Sequence, residues 1–404
     1  MRSLVITGNP LWLPVSETSG LARRFSTFVR AIVSISSEVK LLHIGPSTTS
    51  DTDFLSRHAS DHFGFPIQVA LVGLRARPKT FRNSYLGGLS SIFNQPGYYG
   101  FTGNSQVDAV SRALTNNPDL VFVHRLGPMT AMLRSHGRSR RLFFDLDDVE
   151  HWARLRSAFH PPFWPGKLFY AAHALAVAAA ERQAASIARA TFVCSKVDCR
   201  HLARIGIRSR IVVIPNAVAL PDCFEPVAAE PSLMFIGSYG YPPNQLAAQR
   251  LIQRIWPLVR SRRPDARLLI AGMNAELLPG YRQPEPGVDY VGFVDDLACL
   301  YARSRVVCCP VTLGSGTRVK LVEAAGFAKP IVSTRLGAEG LAFVDGADIL
   351  IRDDDAGFAD ACLRLLEDDV LCRKLGLGAR ARMESLYDAA VVQSRIASIM
   401  TDSS

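Results

Sequence analysis

Gly314, Gly316, Arg318 and Lys320 stand together in LGSGTRVK, just before a run with helical spacing. Bare backbone N–H groups at a helix mouth, with fixed positive charge beside them, suit a phosphate or diphosphate. Glu323, one turn further in, can accept hydrogen bonds from sugar hydroxyls. A tight turn without a ligand is the competing reading of the same glycines. Two more clusters close apolar runs in the first half. DLVFVHRLGPM ends in His124 and Arg125, and RLFFDLDDVEHWA ends in Asp145, Asp147, Asp148, Glu150 and His151. Neighbouring carboxylates could do metal or general-base work, and capping of the next helix by Asp147 or Asp148 is an equal alternative.

The elements that must position these groups alternate. Residues 306–337, VVCCPVTLGSGTRVKLVEAAGFAKPIVSTRLG, read as a β-rich apolar run, a glycine loop, a helix and a second strand after Lys329-Pro330. Upstream, SLMFIG is a strand, LAAQRLIQRIWPLVRSRRP an amphipathic helix stopped by Pro264, ARLLIAG the next strand, and VDYVGFV precedes DDLACLYARS. Alternation of this kind predicts an α/β fold with parallel sheets and ligands at the C-terminal strand ends, where Gly237, Gly272, Gly292 and Gly314 fall. The turn GSYGYPPNQ offers Ser238, Tyr239 and Asn244 to a ligand cleft, unless Pro242-Pro243 simply make it rigid. The first half repeats the grammar: SLVITG opens it, and a loop through Ser19-Gly20 leads into LARRFSTFVRAIV, whose Arg23 and Arg24 could meet a phosphate or an acceptor.

Residues 158–195 combine the aromatic, proline-rich FHPPFWPGKLFY with an alanine-rich helix. Exposed, the segment would suit a membrane interface or an acceptor rim; packing on the N-terminal sheet is the expectation. With 404 residues and 48% hydrophobic content the chain can bury two cores. No apolar stretch approaches the roughly 20 residues needed to span a bilayer, and MRSLVITGNP reads as a first strand and not a signal peptide. A cytoplasmic protein is expected, with peripheral contact at the inner face of the membrane as the alternative placement. The eight cysteines show neither a CxxC pair nor zinc-type spacing, so reduced thiols are expected, with Cys308 and Cys309 packing as small hydrophobes. The net charge of +10 is scattered, without a lysine-rich arm or an aromatic nucleic-acid motif. An anionic small-molecule donor and acceptor, or an anionic membrane, fit it better than nucleic acid.

Three motifs carry a resemblance. Residues 314–320 with Glu323-Ala324-Ala325-Gly326, then Lys329-Pro330-Ile331-Val332-Ser333-Thr334, then 336–341, resemble the GGGTRLK, EAMA-x-GKPVVST and LGAEGL signature of glycosyltransferase family 4, in particular sugar transferases of bacterial polysaccharide clusters. IGSYGYPPN resembles their GS-x-x-x-PPN turn, and Pro215-Asn216-Ala217-Val218 their PNGV linker. The resemblance implies two facing Rossmann-like domains of GT-B architecture with a deep interdomain cleft. It implies an acceptor-binding domain over 1–220, joined by a returning helix at about 387–404, and a donor-binding domain over 221–386. It further implies retaining, metal-independent transfer from a nucleoside diphosphate sugar to a saccharide or lipid-linked acceptor, with no cofactor beyond that co-substrate.

By the same resemblance His124 lies beside the transferred sugar, where an imidazole can hydrogen-bond a hydroxyl or steady an oxocarbenium-like transition state. Arg318 and Lys320 become the diphosphate clamps. Gly237, Ser238, Tyr239, Phe293, Gly314, Ser315, Gly316, Thr317 and Glu323 form the donor site, with Phe293 at the base and Glu323 at the ribose. Gly20, Arg125, Asp147 and Asp148 face the acceptor or the cleft. The chain departs from the pattern at Ser315, where the Glu-x7-Glu pair has its first glutamate, at Arg318, where the wider family has glycine, and in the GSYGYPPNQ turn, which lacks the usual phosphate-binding Arg or Lys. The alternatives are a non-catalytic nucleotide-sugar-binding partner of a glycan synthase and a nucleotide-sugar epimerase of the same architecture.

Overall fold

In a computed structural model the described residues are 1–8, 20–45, 51–73, 103–135, 139, 141–161, 163–224, 230–314 and 316–402. The chain forms two compact units, Met1–Asn216 with Val392–Ser404, and Ala217–Val391.

The first unit is built on a seven-stranded parallel sheet in the order β3-β2-β1-β4-β5-β6-β7. Its strands are β1 (Arg2–Thr7), β2 (Glu38–His43), β3 (Ile67–Leu71), β4 (Leu120–His124), β5 (Leu142–Asp147), β6 (Ala190–Val193) and β7 (Ile211–Val213). Runs such as LVFVH and ATFV are buried on both faces, as parallel strands sandwiched by helices require. The strand order reverses between β1 and β4, and such a switch point opens a crevice at the C-terminal strand ends. Helices Gly20–Ile35 and Leu126–Arg134 begin at that end.

The second unit has a six-stranded parallel sheet, β10-β9-β8-β11-β12-β13. It comprises β8 (Ser232–Ile236), β9 (Arg267–Ala271), β10 (Val288–Gly292), β11 (Val306–Cys309), β12 (Ile331–Ser333) and β13 (Leu350–Ile351). Its switch point lies between β8 and β11, so the loops after Ile236 and after Cys309 flank one crevice. Cys308 and Cys309 are buried in the core.

Three sequence expectations are revised. The amphipathic run after the first strand of this unit is not one α-helix: Pro242–Arg250 and Trp256–Arg262 are joined by a π-helical turn, Leu251–Ile255. Pro257 lacks an N–H and its ring would collide with a carbonyl one turn back, and the wider turn relieves both. The unit boundary falls at 216/217 and 391/392, not at 220 and 387. A bridge between Val218 and Asp388 explains the shift: the Val218 N–H donates to the Tyr387 carbonyl and the Ala389 N–H to that of Val218, binding both crossing segments to the second unit. Finally, helix Lys167–Ile187 does pack through Val177, Ala180, Ala184 and Ala185, but the aromatic stretch before it does not. Phe159 and Phe163 are each 70% exposed, and Trp164, Leu168 and Leu175 are exposed with them.

Candidate active site

The second unit gathers the expected phosphate site around Lys320, the second residue of helix Val319–Gly326. The Lys320 ammonium donates to Asn244 Oδ1 at 3.0 Å and lies 4.1 Å from the centroid of the Phe235 ring. Burial pulls its pKa down to about 8, against the raising effect of Cys309 and Glu323. A Cβ on Gly237 would come within 2.9 Å of both the Lys320 Nζ and the Asn244 Nδ2, so glycine there gives the ammonium its place at the end of β8. Asn244 in turn donates to the Ser238 carbonyl at 3.0 Å. The turn that lacks a basic residue of its own thus receives one from across the switch point.

Arg318 is the N-cap of helix Val319–Gly326, and no side chain among the described residues caps that end, so the N–H groups of the first turn remain directed outward. Its guanidinium donates to the Gly316 carbonyl and lies 3.4 Å from where a Cβ on Gly314 would stand. Gly314 and Gly316 have φ of 111° and 74°, a backbone that L side chains resist. Thr317 and Glu323 are half-buried on the same loop and helix, and Ser315 lies outside the described residues. Gly272, at φ 120°, closes the floor: a Cβ would meet the Gly237 carbonyl oxygen at 1.9 Å.

Two donor-site expectations resolve in opposite ways. Phe293 is 51% exposed immediately after Gly292, so it is not a core aromatic and its ring is available at the strand end. Tyr239 is a correction: its side chain is fully buried and its hydroxyl donates to the backbone carbonyls of Ala271 at 2.9 Å and Phe235 at 3.2 Å. Its ring is committed to the core and cannot line a ligand.

The first unit assembles a second constellation at its own switch point. His124 and Asp145 are direct partners in the β4–β5 register, and His124 Nδ1 is 3.0 Å from Asp145 Oδ2. Arg24, on the helix that starts at Gly20, donates to both oxygens of Asp145 at 2.6–3.1 Å, to the Ile214 carbonyl at 2.7 Å and to Asn216 Oδ1 at 3.3 Å. All three side chains are essentially inaccessible. Burial alone would raise the Asp145 carboxyl, but Arg24 and His124 hold it below the usual carboxylate range.

Around this core the backbone is strained. Arg125 sits at φ 71°, ψ 160°, and Asp147 at φ 63°, regions that non-glycine residues enter at a cost of order 1–3 kcal/mol and that collect at functional sites. The Arg125 guanidinium lies 3.9 Å from Glu150, whose carboxyl burial raises to about 7. The capping alternative for the acidic run does not hold, because the N-cap of helix Glu150–Phe159 is Val149 and no side chain among the described residues caps it. Asp147 and Asp148 are half-buried. Asp147 lies 3.4 Å from Arg24 Nε, so both it and Asp145 answer an arginine. Among the described residues no group of three or more His, Cys, Asp or Glu could hold a metal ion.

Arg24 is a correction: read from the sequence as able to meet a phosphate or an acceptor, it is buried with its guanidinium committed to Asp145, Ile214 and Asn216. Its signal was present: it shares the i, i+4, i+8 face of its helix with Phe28 and Ile32, both buried.

Comparison with known proteins gives this geometry a context. Residues 230–368 match the family model described as Glycosyl transferases group 1. The phosphatidyl-myo-inositol mannosyltransferase of Mycobacterium leprae is 30% identical over 205 residues, which is 47% of this chain and 53% of that protein. The chain thus spans about half the length of the curated relatives it matches. Among solved structures, sucrose-phosphate synthase from Thermosynechococcus elongatus aligns with a TM-score of 0.71 at 15% identity over 99% of this chain and 98% of its own. Anabaena HepE, crystallised with UDP and glucose, aligns with a TM-score of 0.67 at 13% identity over the whole of both chains. At those identities the likeness is one of fold, and the fold is the GT-B architecture of two parallel-sheet α/β domains. The stretch that matches Glycosyl transferases group 1 is also the stretch that holds Gly237, Asn244, Arg318, Lys320 and Glu323 together.

Proposed function

We propose that this protein is a glycosyltransferase that moves a sugar from a nucleoside diphosphate sugar to a hydroxyl of a saccharide or lipid-linked acceptor, with retention and without a metal, in cell-surface polysaccharide or glycoconjugate biosynthesis. The observation that carries the reading is the half-buried Lys320, its ammonium held by Asn244 beside the N-terminus of helix Val319–Gly326 at the switch point of the second unit. Arg318 and Lys320 neutralise the charge that grows on the phosphate oxygen as its bond to the anomeric carbon breaks. The acceptor oxygen forms the new bond on the same face and passes its proton to that phosphate oxygen, so no separate base is required. Glu323 accepts from the ribose hydroxyls and Phe293 packs on the base, and at the switch point of the first unit His124 meets a sugar hydroxyl. The UDP and glucose in the Anabaena structure and the mannosyltransferase name of the mycobacterial relatives support a nucleotide-sugar donor and a lipid-linked acceptor.

Thermal unfolding with a panel of UDP, GDP, TDP and CMP sugars tests the donor. One nucleotide should raise Tm by mass action, and acceptor-dependent release of nucleoside diphosphate, insensitive to EDTA, should give a product of unchanged anomeric configuration by NMR. Binding without acceptor-dependent release would point instead to the non-catalytic partner, and an inverted product would sink retention.

The same reading places the protein on an anionic membrane surface. Phe159, Phe163, Trp164, Leu168 and Leu175 are exposed, and no acidic residue occurs between Glu150 and Glu181. No helix among the described residues is long and apolar enough to cross a membrane, so the contact is interfacial. Co-sedimentation with anionic vesicles should exceed that with zwitterionic ones and fall in a Trp164→Ser, Leu168→Gln variant; equal partitioning of wild type and variant would exclude this surface.

A further inference from the structure

The buried chain Arg24–Asp145–His124 has one open end. Every polar atom of the Arg24 guanidinium and the Asp145 carboxylate named above is engaged, whereas His124 Nε2 is buried and finds no hydrogen-bond partner among the described residues. The Phe25 ring, 5.2 Å away centroid to centroid, and the Phe122 ring, at 6.5 Å, wall the imidazole in. A polar ring atom in such surroundings is left unmatched unless a ligand reaches it.

The direction of the proton follows from Arg24. Held ionised by the guanidinium, Asp145 can only accept, so the proton between it and His124 sits on Nδ1. A cationic ring would leave Nε2 as a buried, charged N–H between the Phe25 and Phe122 rings, with no acceptor among the described residues. The ring is therefore neutral, and its other nitrogen carries a lone pair.

We propose that Asp145, clamped by Arg24, is a positioning residue that fixes His124 as the Nδ1–H tautomer, so that Nε2 accepts a hydrogen bond from a hydroxyl of the bound sugar or acceptor. The inference rests on the glycosyl-transfer reading and adds to it a polarity: His124 recognises a hydroxyl donor, and it is not a proton donor to a phosphate or to the leaving oxygen. Asp145→Asn keeps the shape and can still accept from Arg24, but it turns an amide N–H toward Nδ1 and moves the ring proton to Nε2. The substitution places a donor where the substrate hydroxyl brings its own.

The experiment is a two-bond 1H–15N correlation spectrum of the imidazole rings in the full-length wild type, with the His124 signals assigned by their loss in His124→Gln. The expected spectrum shows Nδ1 protonated and Nε2 bare, with the pattern inverted in Asp145→Asn and kcat lowered by roughly a hundredfold or more while the donor KM stays near wild type. The wild-type spectrum decides the tautomer even where Asp145→Asn does not fold. A proton on Nε2 in the wild type, in a neutral or a cationic ring, overturns the proposal whatever the protein transfers. Unchanged kcat in Asp145→Asn with an inverted ring overturns it too. Full activity of His124→Gln overturns the hydroxyl contact and removes His124 from the transfer mechanism, while nucleotide binding at Lys320 is untouched.

Discussion

Replacement of Lys320 by alanine is expected to lower kcat/KM by roughly a hundredfold or more, the scale seen when one preorganised group facing a developing oxyanion is removed. The expectation follows from where the ammonium sits. It is held by Asn244 and by the face of Phe235, so the charge is placed before a ligand arrives and does not have to be gathered from solvent. That placement leaves a signature in pH. Burial pulls Lys320 down to about 8, so above that pH the empty site is mostly neutral and a diphosphate must bring a proton with it. Donor affinity should then fall as pH rises, by as much as tenfold per unit. The free protein should respond with the opposite sign. A lysine whose pKa is lower folded than its usual 10.4 or so makes the folded state more stable as pH climbs from about 8 toward that value. Titration calorimetry across pH 7 to 10 reads the first trend and denaturant melts the second. Lys320→Arg, charged throughout, should lose the slope in affinity whatever its geometry does to the absolute value. A wild-type affinity that stays flat from pH 7 to 10 would rule out Lys320 as the anion's partner.

What was legible in the chain was its periodicity and its punctuation. Alternating apolar runs and glycines gave the two parallel sheets, and the glycines at 237, 272, 292 and 314 marked the strand ends because a positive φ or a close backbone approach forbids a side chain at several of them. Lys320 was legible as a charge near a helix mouth, but its partner Asn244 was not, since the two meet only when β8 and β11 lie side by side. Tyr239 misled for a related reason. A tyrosine in a turn reads as exposed, and only the third dimension shows the carbonyls of Phe235 and Ala271 taking its hydroxyl. The π turn at Leu251–Ile255 follows from Pro257, whose helical effect was readable in principle and was masked by strong apolar spacing on both sides. The aromatic stretch before Lys167 shows the limit of hydropathy: composition marks a residue as able to be buried, and the fold decides whether anything is there to bury it.

Arg24→Met is expected to destabilise the first unit by about 3–5 kcal/mol, the usual consequence of leaving one charge of a buried pair without its partner. Arg24 meets two oxygens of Asp145, a backbone carbonyl and an asparagine, and no water can replace it at a site where both residues are inaccessible. The double variant Arg24→Met, Asp145→Leu removes both charges and should recover most of that loss, because matched apolar groups in place of a buried ion pair are close to neutral for stability. Its catalytic activity should not recover, since His124 would have lost the carboxylate that sets its tautomer. Acid separates the variants again. In the wild type the depressed Asp145 pKa contributes stability that is complete above the unfolded value of about 3.9 and is lost as pH falls below it. In Arg24→Met only His124 is left to oppose burial at Asp145, so its pKa rises relative to wild type, and the deficit should shrink as the solution is acidified and the carboxyl takes up a proton. Denaturant unfolding of the three proteins at pH 7 and pH 5, fitted with separate transitions for the two units, reads all of this. A single variant within 1 kcal/mol of wild type, or a deficit that grows on acidification, would mean that Asp145 finds another partner and that the Arg24 clamp is not what holds this end of the sheet together.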